Sequence, residues 1–364
     1  MLHINTVCSV AFPRGKWTLG IILILAATFN RLIASPPIDL DWQRLPNLPD
    51  PEGFSGGFAG VSNSVLVFAG GANFVGKRPW EGGHKSWYDT IYVLTSPTSH
   101  WIVAGKLPRP TAYGVSVTYR DEVICVGGSN GQEHYCDVYT LRWDGHTVRR
   151  RSLPPLPMPY AFMSGAIAGD TLYVIGGIHA PNSITAQRDF WALDLKVANA
   201  TWRMLDPLPG TGRIQPDVGT WGETVVVFSG VEVEPTTSGK PKWNYLTDAY
   251  SYTPGKNWRR TADLPHPAES CPGPLPVTGR GKFLLLSGDD GSLTALDGPN
   301  HPGFRRDSLL YDSSLGRWQT VDAGPISLCD APVANWNNLW IIVGGEHKPG
   351  FRSNEVWGLR FADK

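Results

Sequence analysis

The chain contains 364 residues, with 32 basic and 32 acidic side chains, 41 glycines, 31 prolines and 15 tryptophans. Glycine and proline together make up about a fifth of it, and 41% of the residues are apolar, which is not the composition of a disordered chain. The zero formal net charge argues against nucleic acid as a partner, because that binding depends on lysines and arginines that neutralise phosphates. The composition predicts a globular protein rich in strands and turns.

The N-terminus has the pattern of an export signal. Arg14 and Lys16 precede an apolar stretch at residues 17–29, which is short for a bilayer span but suits the core of a signal peptide. No later segment is apolar over 18 residues, so we expect a mature chain without stable membrane insertion.

Cleavage of this leader is expected near Ala34 or Ser35, which are small residues. An uncleaved anchor is the alternative. We therefore predict a signal peptide at residues 1–35, export to the periplasm, and a single domain over residues 36–364.

The cysteines do not predict a metal site. No CxxC pair occurs, which makes a thiolate zinc site improbable, and we predict neither a metal nor a cofactor. The sequence does not decide whether one or two disulfides form in an oxidising compartment. The cysteines left after loss of the leader are Cys125, Cys136, Cys271 and Cys329.

A short aliphatic run that ends in Gly-Gly or Ser-Gly occurs six times. The last glycines of these runs lie 49–58 residues apart, at Gly71, Gly128, Gly177, Gly230, Gly288 and Gly345. A second strand-like run follows each of them. After it comes a tryptophan with Leu-Pro six residues later, as in Trp42, Trp101, Trp202 and Trp258, with a Gly-Pro variant after Trp318. Six units of about four short strands predict a six-bladed β-propeller.

The two ends of the chain are complementary. After the sixth glycine pair comes one more strand-like run, at residues 354–361, and no strand marked by tryptophan and Leu-Pro follows it. Residues 41–45 resemble such a tryptophan-marked strand, but no other strands of a blade precede them. We predict that an N-terminal strand near residues 40–46 completes the last blade and closes the ring.

The glycine pairs and the segments after each Leu-Pro are expected to converge at one mouth of the central channel. The first set supplies Asp289-Asp290 and Glu346-His347, among others, and the second includes Arg109, Tyr160, Arg213, Glu269 and Asp330. Such a polar ring suits a small polar ligand such as a sugar acid. Asp289-Asp290 lacks the oxygen-ligand spacing of a calcium site.

The repeat pattern resembles Kelch propellers, and two segments resemble the bacterial N-acetylneuraminate epimerases more specifically. These segments are Gly-Glu-His-Lys-Pro-Gly-Phe-Arg at residues 345–352 and Pro-Glu-Gly-Phe-Ser-Gly-Gly-Phe-Ala-Gly at residues 51–60. In that family the first precedes the second, so the chain resembles a cyclically permuted member. A ring tolerates such a permutation because each blade keeps its neighbours.

The resemblance implies a mutarotase that interconverts the α and β anomers of sialic acid by acid/base ring opening. Glu346 and Arg352 match the family's catalytic pair. One carboxylate can accept and return the proton, and a guanidinium can hold the substrate carboxylate or a developing oxyanion. A surface salt bridge is the alternative for this pair.

Further candidates for substrate binding are Arg213, Asn73, His84 and Lys85. Arg213 is expected to contact the substrate carboxylate or to anchor a loop. The other three belong to a long loop at residues 73–88 that could cover the mouth. A solvated role is the alternative for His84.

Two other functions stay open. One is a Kelch propeller epimerase for another sugar, and the other is a propeller that binds a ligand or a protein without catalysis. The sugar substrate and the oligomeric state, with a homodimer as one option, are not determined by the sequence.

Overall fold

The computed structural model describes residues 38–362 except 238, 240, 297 and 323. The signal peptide predicted at residues 1–35 lies outside the described residues. Within the part of the chain that is described, no helix has the length and hydropathy needed to span a bilayer.

The described chain forms six antiparallel sheets arranged as the blades of a β-propeller. Strand β1 (Asp39–Leu45) comes first and belongs to the last blade. Blade 1 contains β2 (Phe58–Ser62), β3 (Val65–Ala69), the ribbon of β4 (Ala72–Phe74) and β5 (Lys85–Trp87), β6 (Thr90–Leu94) and β7 (Ile102–Lys106). A short 3-10 helix, Pro79–Glu81, lies between the two ribbon strands.

The next two blades are four-stranded sheets without a ribbon. Blade 2 contains β8 (Val115–Tyr119), β9 (Glu122–Val126), β10 (Val138–Trp143) and β11 (Val148–Ser152). Blade 3 contains β12 (Ala161–Ala168), β13 (Thr171–Ile178), β14 (Phe190–Asp194) and β15 (Arg203–Met204).

The remaining blades complete the circle. Blade 4 contains β16 (Asp217–Trp221), β17 (Thr224–Phe228), the ribbon of β18 (Val231–Glu234) and β19 (Lys242–Tyr245), β20 (Ala249–Tyr252) and β21 (Arg259–Arg260). Blade 5 contains β22 (Lys282–Leu286), β23 (Asp307–Asp312) and β24 (Arg317–Asp322). Blade 6 contains β25 (Val333–Trp336), β26 (Leu339–Val343), the ribbon of β27 (Glu346–Lys348) and β28 (Phe351–Arg352), and β29 (Val356–Ala362).

Closure of the ring by the N-terminal strand is confirmed. β1 pairs with β29 along its whole length, from Asp39 opposite Ala362 to Leu45 opposite Val356. The sheet order of blade 6 is therefore β1-β29-β26-β25. This pairing covers the edge of β29 that would otherwise be exposed.

Blade 5 differs from the predicted four strands. Its first strand is reduced to a single bridge between Val277 and Phe283. Two hydrogen bonds flank this bridge, from Leu284 N–H to the Pro276 carbonyl and from Thr278 N–H to the Lys282 carbonyl. Prolines at 272, 274 and 276 cannot donate to a sheet ladder, which explains why no continuous strand forms there.

The repeat residues hold adjacent blades together. Six hydrophobic clusters follow one another around the ring, each shared by two neighbouring blades. The indole N–H of Trp101 donates to the Pro46 carbonyl of the preceding blade at 2.8 Å, and Trp202 and Trp258 make the equivalent bond.

The glycine pairs have the conformation that the repeat requires. All six lie at positive φ, including Ser229 and Ser287 where serine replaces the first glycine. At Gly70 an added Cβ would lie 2.4 Å from the Thr111 carbonyl oxygen, so the next blade approaches too closely for a side chain.

Candidate active site

A closed ring of backbone hydrogen bonds surrounds the central channel. Each of its six residues donates its N–H to the carbonyl of its counterpart in the preceding blade, at 2.7–3.3 Å. All six have left-handed φ values of 48–66°, which are uncommon for residues other than glycine. The ring consists of Gly56, Tyr113, Phe162, Gln215, Ser270 and Asp330.

This ring forms the floor of a cavity of about 600 Å³ at the mouth of the propeller. All ring residues except Gly56 line the cavity, and all six also line a smaller space of about 100 Å³ in the channel. The three ribbons supply Lys85, Trp243, Tyr245 and Glu346 to the walls. Entry segments between blades pair with the loop between the second and third strands, as in the bridges Glu269–Asp289 and Cys329–Glu346. These bridges bring the residues after the glycine pairs and the residues after Leu-Pro together at one mouth of the channel, as predicted.

Glu346 and Arg352 form a buried ion pair next to the cavity. They lie opposite each other in the β27–β28 ribbon, and Arg352 Nη1 contacts Glu346 Oε1. The same oxygen accepts the Gly350 N–H at 2.7 Å. Glu346 lines the cavity, whereas the Arg352 side chain is only 2% exposed and lies behind it.

Charges around Arg352 keep its guanidinium protonated. Burial alone would lower the pKa of Arg352, but the charge of Glu346, supported by Tyr113 and Asp330, outweighs it and raises this pKa. The contact with Arg352 and the hydrogen bond from Gly350 fix the position of the Glu346 carboxyl group at the cavity wall.

Lys85 also lies in the cavity wall. Its Nζ donates to the Tyr113 hydroxyl at 2.9 Å and lies 4.8 Å from the centre of the same ring. Lys85 thus brings a positive charge to the cavity that Glu346 also lines.

Two other candidates, Asn73 and His84, lie outside the cavity lining. Asn73 is buried and donates to the Gly53 carbonyl at 2.9 Å while accepting from the Tyr88 hydroxyl at 2.8 Å. His84 is exposed. The structure brings neither of them into contact with Glu346.

Arg213 occupies a structural position between blades. Its side chain is fully buried, and its two terminal nitrogens bind the two oxygens of Asp248 at 2.8 and 2.9 Å. It also donates to the Ser229 carbonyl at 2.8 Å. Arg213 is not among the residues that line the cavity. Its contacts are those expected of a loop anchor, the alternative role that the sequence left open.

Buried carboxyl groups dominate the remaining cavity wall. Burial raises the pKa of Glu269, Asp289 and Asp330, and neighbouring carboxylates raise it further. Asp330 accepts from the Ser270 hydroxyl at 2.6 Å and from the Gln215 amide. A raised pKa favours the neutral form of each of these groups.

Several cavity residues have no counterpart among the sequence candidates, including Tyr113, Phe162, Gln215, Trp243 and Tyr245. A spacing signal could have found part of the floor. Tyr113, Phe162 and Ser270 each lie six residues after the leucine of the preceding Leu-Pro. Trp243 and Tyr245 of the β18–β19 ribbon have no such fixed spacing from a Leu-Pro pair.

The four cysteines of the described chain are free thiols, three of them buried. The disulfides that the sequence left open are therefore not formed in this structure. Burial raises the pKa of Cys125, Cys271 and Cys329 well above the usual value, so these thiols are inert.

Asp217 provides a test of the buried carboxyl groups through the pH dependence of stability. Burial raises its pKa well above the usual value, and its Oδ1 accepts the Cys271 N–H at 2.9 Å. The stabilising effect of such a group is complete below its unfolded pKa and is lost as pH rises through the folded pKa, at up to about 1.4 kcal/mol per pH unit. In urea unfolding between pH 4 and 8, we expect the free energy of unfolding to fall less steeply with rising pH in Asp217→Asn than in the wild type. The exposed Asp121→Asn control should keep the wild-type slope, and an unchanged slope in Asp217→Asn would contradict this assignment.

Comparison with known proteins gives a consistent resemblance. Residues 31–149 match the family model described as N-acetylneuraminate epimerase. The N-acetylneuraminate epimerase of Yersinia enterocolitica is 39% identical over 29% of this chain and 31% of its own length. That of Salmonella enteritidis PT4 is 39% identical over 26% of this chain and 28% of its own length. The chain thus matches about a third of the length of these curated relatives.

A solved structure described as "Structure of YjhT" superposes with a TM-score of 0.64 at 15% identity, covering 88% of this chain and 99% of that one. The matched residues 31–149 include Lys85 and Tyr113 but not Glu346 or Arg352. The chain therefore resembles the N-acetylneuraminate epimerases in sequence over its N-terminal third and shares its overall fold with YjhT.

Proposed function

We propose that this protein is a mutarotase that interconverts the α and β anomers of N-acetylneuraminate. The observation that carries the proposal is the Glu346 carboxylate, which faces a cavity of about 600 Å³ and is anchored by a buried arginine. The cavity has the size of a small-molecule site. The sequence resemblance supplies the substrate class.

The reaction requires proton transfer and no change of oxidation state. Glu346 removes the proton of the anomeric hydroxyl, the bond from the anomeric carbon to the ring oxygen breaks, and the ring oxygen gains a proton. Rotation in the open keto form exposes the other face of the carbonyl, and the steps then reverse. A carboxylate that accepts and returns the proton serves both directions.

The burial of Arg352 supports a different role from direct contact with the substrate. Because its side chain is buried behind Glu346, we assign Arg352 as a positioning residue that orients Glu346. We assign contact with the substrate carboxylate to Lys85, whose Nζ lies in the cavity wall. A charged donor of this kind suits an anionic sugar.

Proton NMR of freshly dissolved α-N-acetylneuraminate tests the proposal directly. We expect the protein to accelerate appearance of the β anomer at neutral pH over the uncatalysed rate. Folded protein without any acceleration would overturn the function. A parallel measurement with other sugar acids and neutral sugars tests the alternative of a Kelch propeller epimerase for another sugar.

Substitution of Lys85 tests substrate binding. Lys85→Met is expected to raise KM about 10- to 100-fold, because a hydrogen bond to a charged group contributes about 1.5–3 kcal/mol, while kcat changes less. Exchange kinetics at several substrate concentrations separate the two effects. The control is Lys77→Met, an exposed lysine of the same loop, which should keep the wild-type KM. A wild-type KM in Lys85→Met would remove Lys85 from the binding site.

We also propose that the protein is exported to the periplasm and that its sequence is cyclically permuted relative to the epimerases. The signal pattern at residues 1–35 and the order of segments 345–352 and 51–60 support these two points. Mass spectrometry of protein recovered from the periplasm tests cleavage near Ala34. A homodimer stays a prediction, and analytical ultracentrifugation tests it.

A further inference from the structure

Glu269 is a second carboxyl group in the cavity that the proposed reaction has not yet used. The residue is 6% exposed, lines the same cavity as Glu346, and its Oε2 is buried without a hydrogen-bond partner among the described residues. Its backbone is fixed, because Glu269 and Asp289 exchange N–H to carbonyl bonds at 2.9 and 3.0 Å. A buried polar atom that lacks a partner costs free energy, so a bound ligand is a natural partner for it.

The surroundings of Glu269 favour its neutral form. Within the described chain, no lysine or arginine lies at ion-pair distance from it, and burial raises its pKa well above the usual value. Nearby carboxylates raise that pKa further. The titratable groups that face it are Asp217, Asp289, Asp330, Glu346, Tyr245, Cys271 and Cys329.

Glu346 has the opposite environment in the same cavity. It contacts the Arg352 guanidinium and accepts the Gly350 N–H, whereas Glu269 has no cationic side chain at ion-pair distance within the described chain. One carboxyl group paired with a cation and another without one in the same site is the arrangement expected of a base and an acid that act together.

We propose that Glu269 is the general acid of this site and protonates the ring oxygen while Glu346 deprotonates the anomeric hydroxyl. This inference rests on the proposed function. Without a proton donor, the ring oxygen would leave as an alkoxide in a buried site, which is unfavourable. Glu269 removes that cost by transferring its proton as the bond breaks.

The proton balance closes over the cycle. On opening, the anomeric O–H proton goes to Glu346, the electron pair of the broken carbon–oxygen bond goes to the ring oxygen, and that oxygen takes the Glu269 proton. After rotation, the ring hydroxyl attacks the carbonyl carbon and returns its proton to Glu269. Glu346 then returns its proton to the carbonyl oxygen, so both groups regain their starting states.

The experiment compares Glu269→Gln, Glu269→Asp and wild-type protein by anomer-exchange NMR across pH. Gln keeps the shape and a hydrogen-bond donor but cannot transfer a proton, so kcat is expected to fall about 10²- to 10⁴-fold. The wild-type kcat/KM should decline as pH rises through the pKa of Glu269. Because loss of the Lys85 charge would give a similar decline, the profile is also measured in Lys85→Met, where the decline should persist. Glu269→Asp, which keeps a carboxyl group, should retain partial activity and this decline. Glu232→Gln is the matched control, because Glu232 lies in the neighbouring ribbon and bonds to Asn244, outside the cavity lining.

The outcomes separate the two proposals. A wild-type protein that does not accelerate exchange overturns the mutarotase function and this inference with it. An active wild type with a fully active Glu269→Gln, or a Lys85→Met protein whose kcat/KM does not decline as pH rises, overturns the role of Glu269 alone. The pH profile of Lys85→Met decides the matter even where Glu269→Gln does not fold, because its decline cannot come from Lys85.

Discussion

Glu346→Gln is expected to lower the rate of anomer interconversion about 10²- to 10⁴-fold, which is the usual contribution of a positioned acid/base group. Glutamine cannot accept the anomeric proton, while the cavity and Lys85 are retained. The same change leaves the buried Arg352 without its counter-charge, so we also expect the free energy of unfolding to fall by about 3–5 kcal/mol. NMR exchange rates per folded molecule and urea unfolding measure the two effects separately.

The double variant Glu346→Gln/Arg352→Met separates catalysis from stability. Removing both charges of a buried pair is often nearly neutral, so the double variant should recover much of the lost stability. Its exchange rate should stay as low as that of Glu346→Gln. A Glu346→Gln protein with the wild-type exchange rate would contradict the assignment of the base.

The architecture could be predicted because it depends on local signals that repeat. Glycine pairs mark sites of positive φ, as at Gly70. A tryptophan six residues before Leu-Pro marks a strand whose indole bonds to the preceding blade, as at Trp101 and Trp202. Counting these markers gave six blades and the closing strand β1. The three prolines at 272, 274 and 276 carried a further signal, namely that blade 5 lacks a regular first strand.

The site was predictable only in part. Glu346 and Lys85 lie in the cavity wall, but Arg213 lies two residues before the ring residue Gln215. The left-handed backbone at Gln215 changes the direction of the chain at this point. Gln215 therefore lies in the cavity, whereas Arg213, two residues earlier, lies between two blades. Arg213 pairs with Asp248, 35 residues away, and no local pattern shows such a partner. The raised pKa of Glu269 likewise depends on burial, which no local sequence pattern shows.

Arg213→Met is expected to reduce the free energy of unfolding by about 3–5 kcal/mol, as breaking a buried ion pair does. The substitution leaves the Asp248 carboxylate, which is 18% exposed, and the Ser229 carbonyl without their guanidinium partner. Burial alone would raise the pKa of Asp248, but hydrogen bonds and charge from Arg213 lower it. This stabilisation is present above the unfolded pKa of Asp248 and is lost as pH falls through the folded value, so the difference between the two proteins should narrow in acid.

The matched control is Arg260→Gln, whose partner Asp263 lies on the surface at 2.8 Å with both side chains well exposed. Exposed pairs contribute about 0–1 kcal/mol, so urea unfolding should barely change. Folded Arg213→Met should keep the wild-type KM and exchange rate, because its guanidinium binds Asp248 and not the cavity. A large rise in KM with unchanged stability would instead return Arg213 to the substrate site and contradict the inter-blade role inferred from its burial.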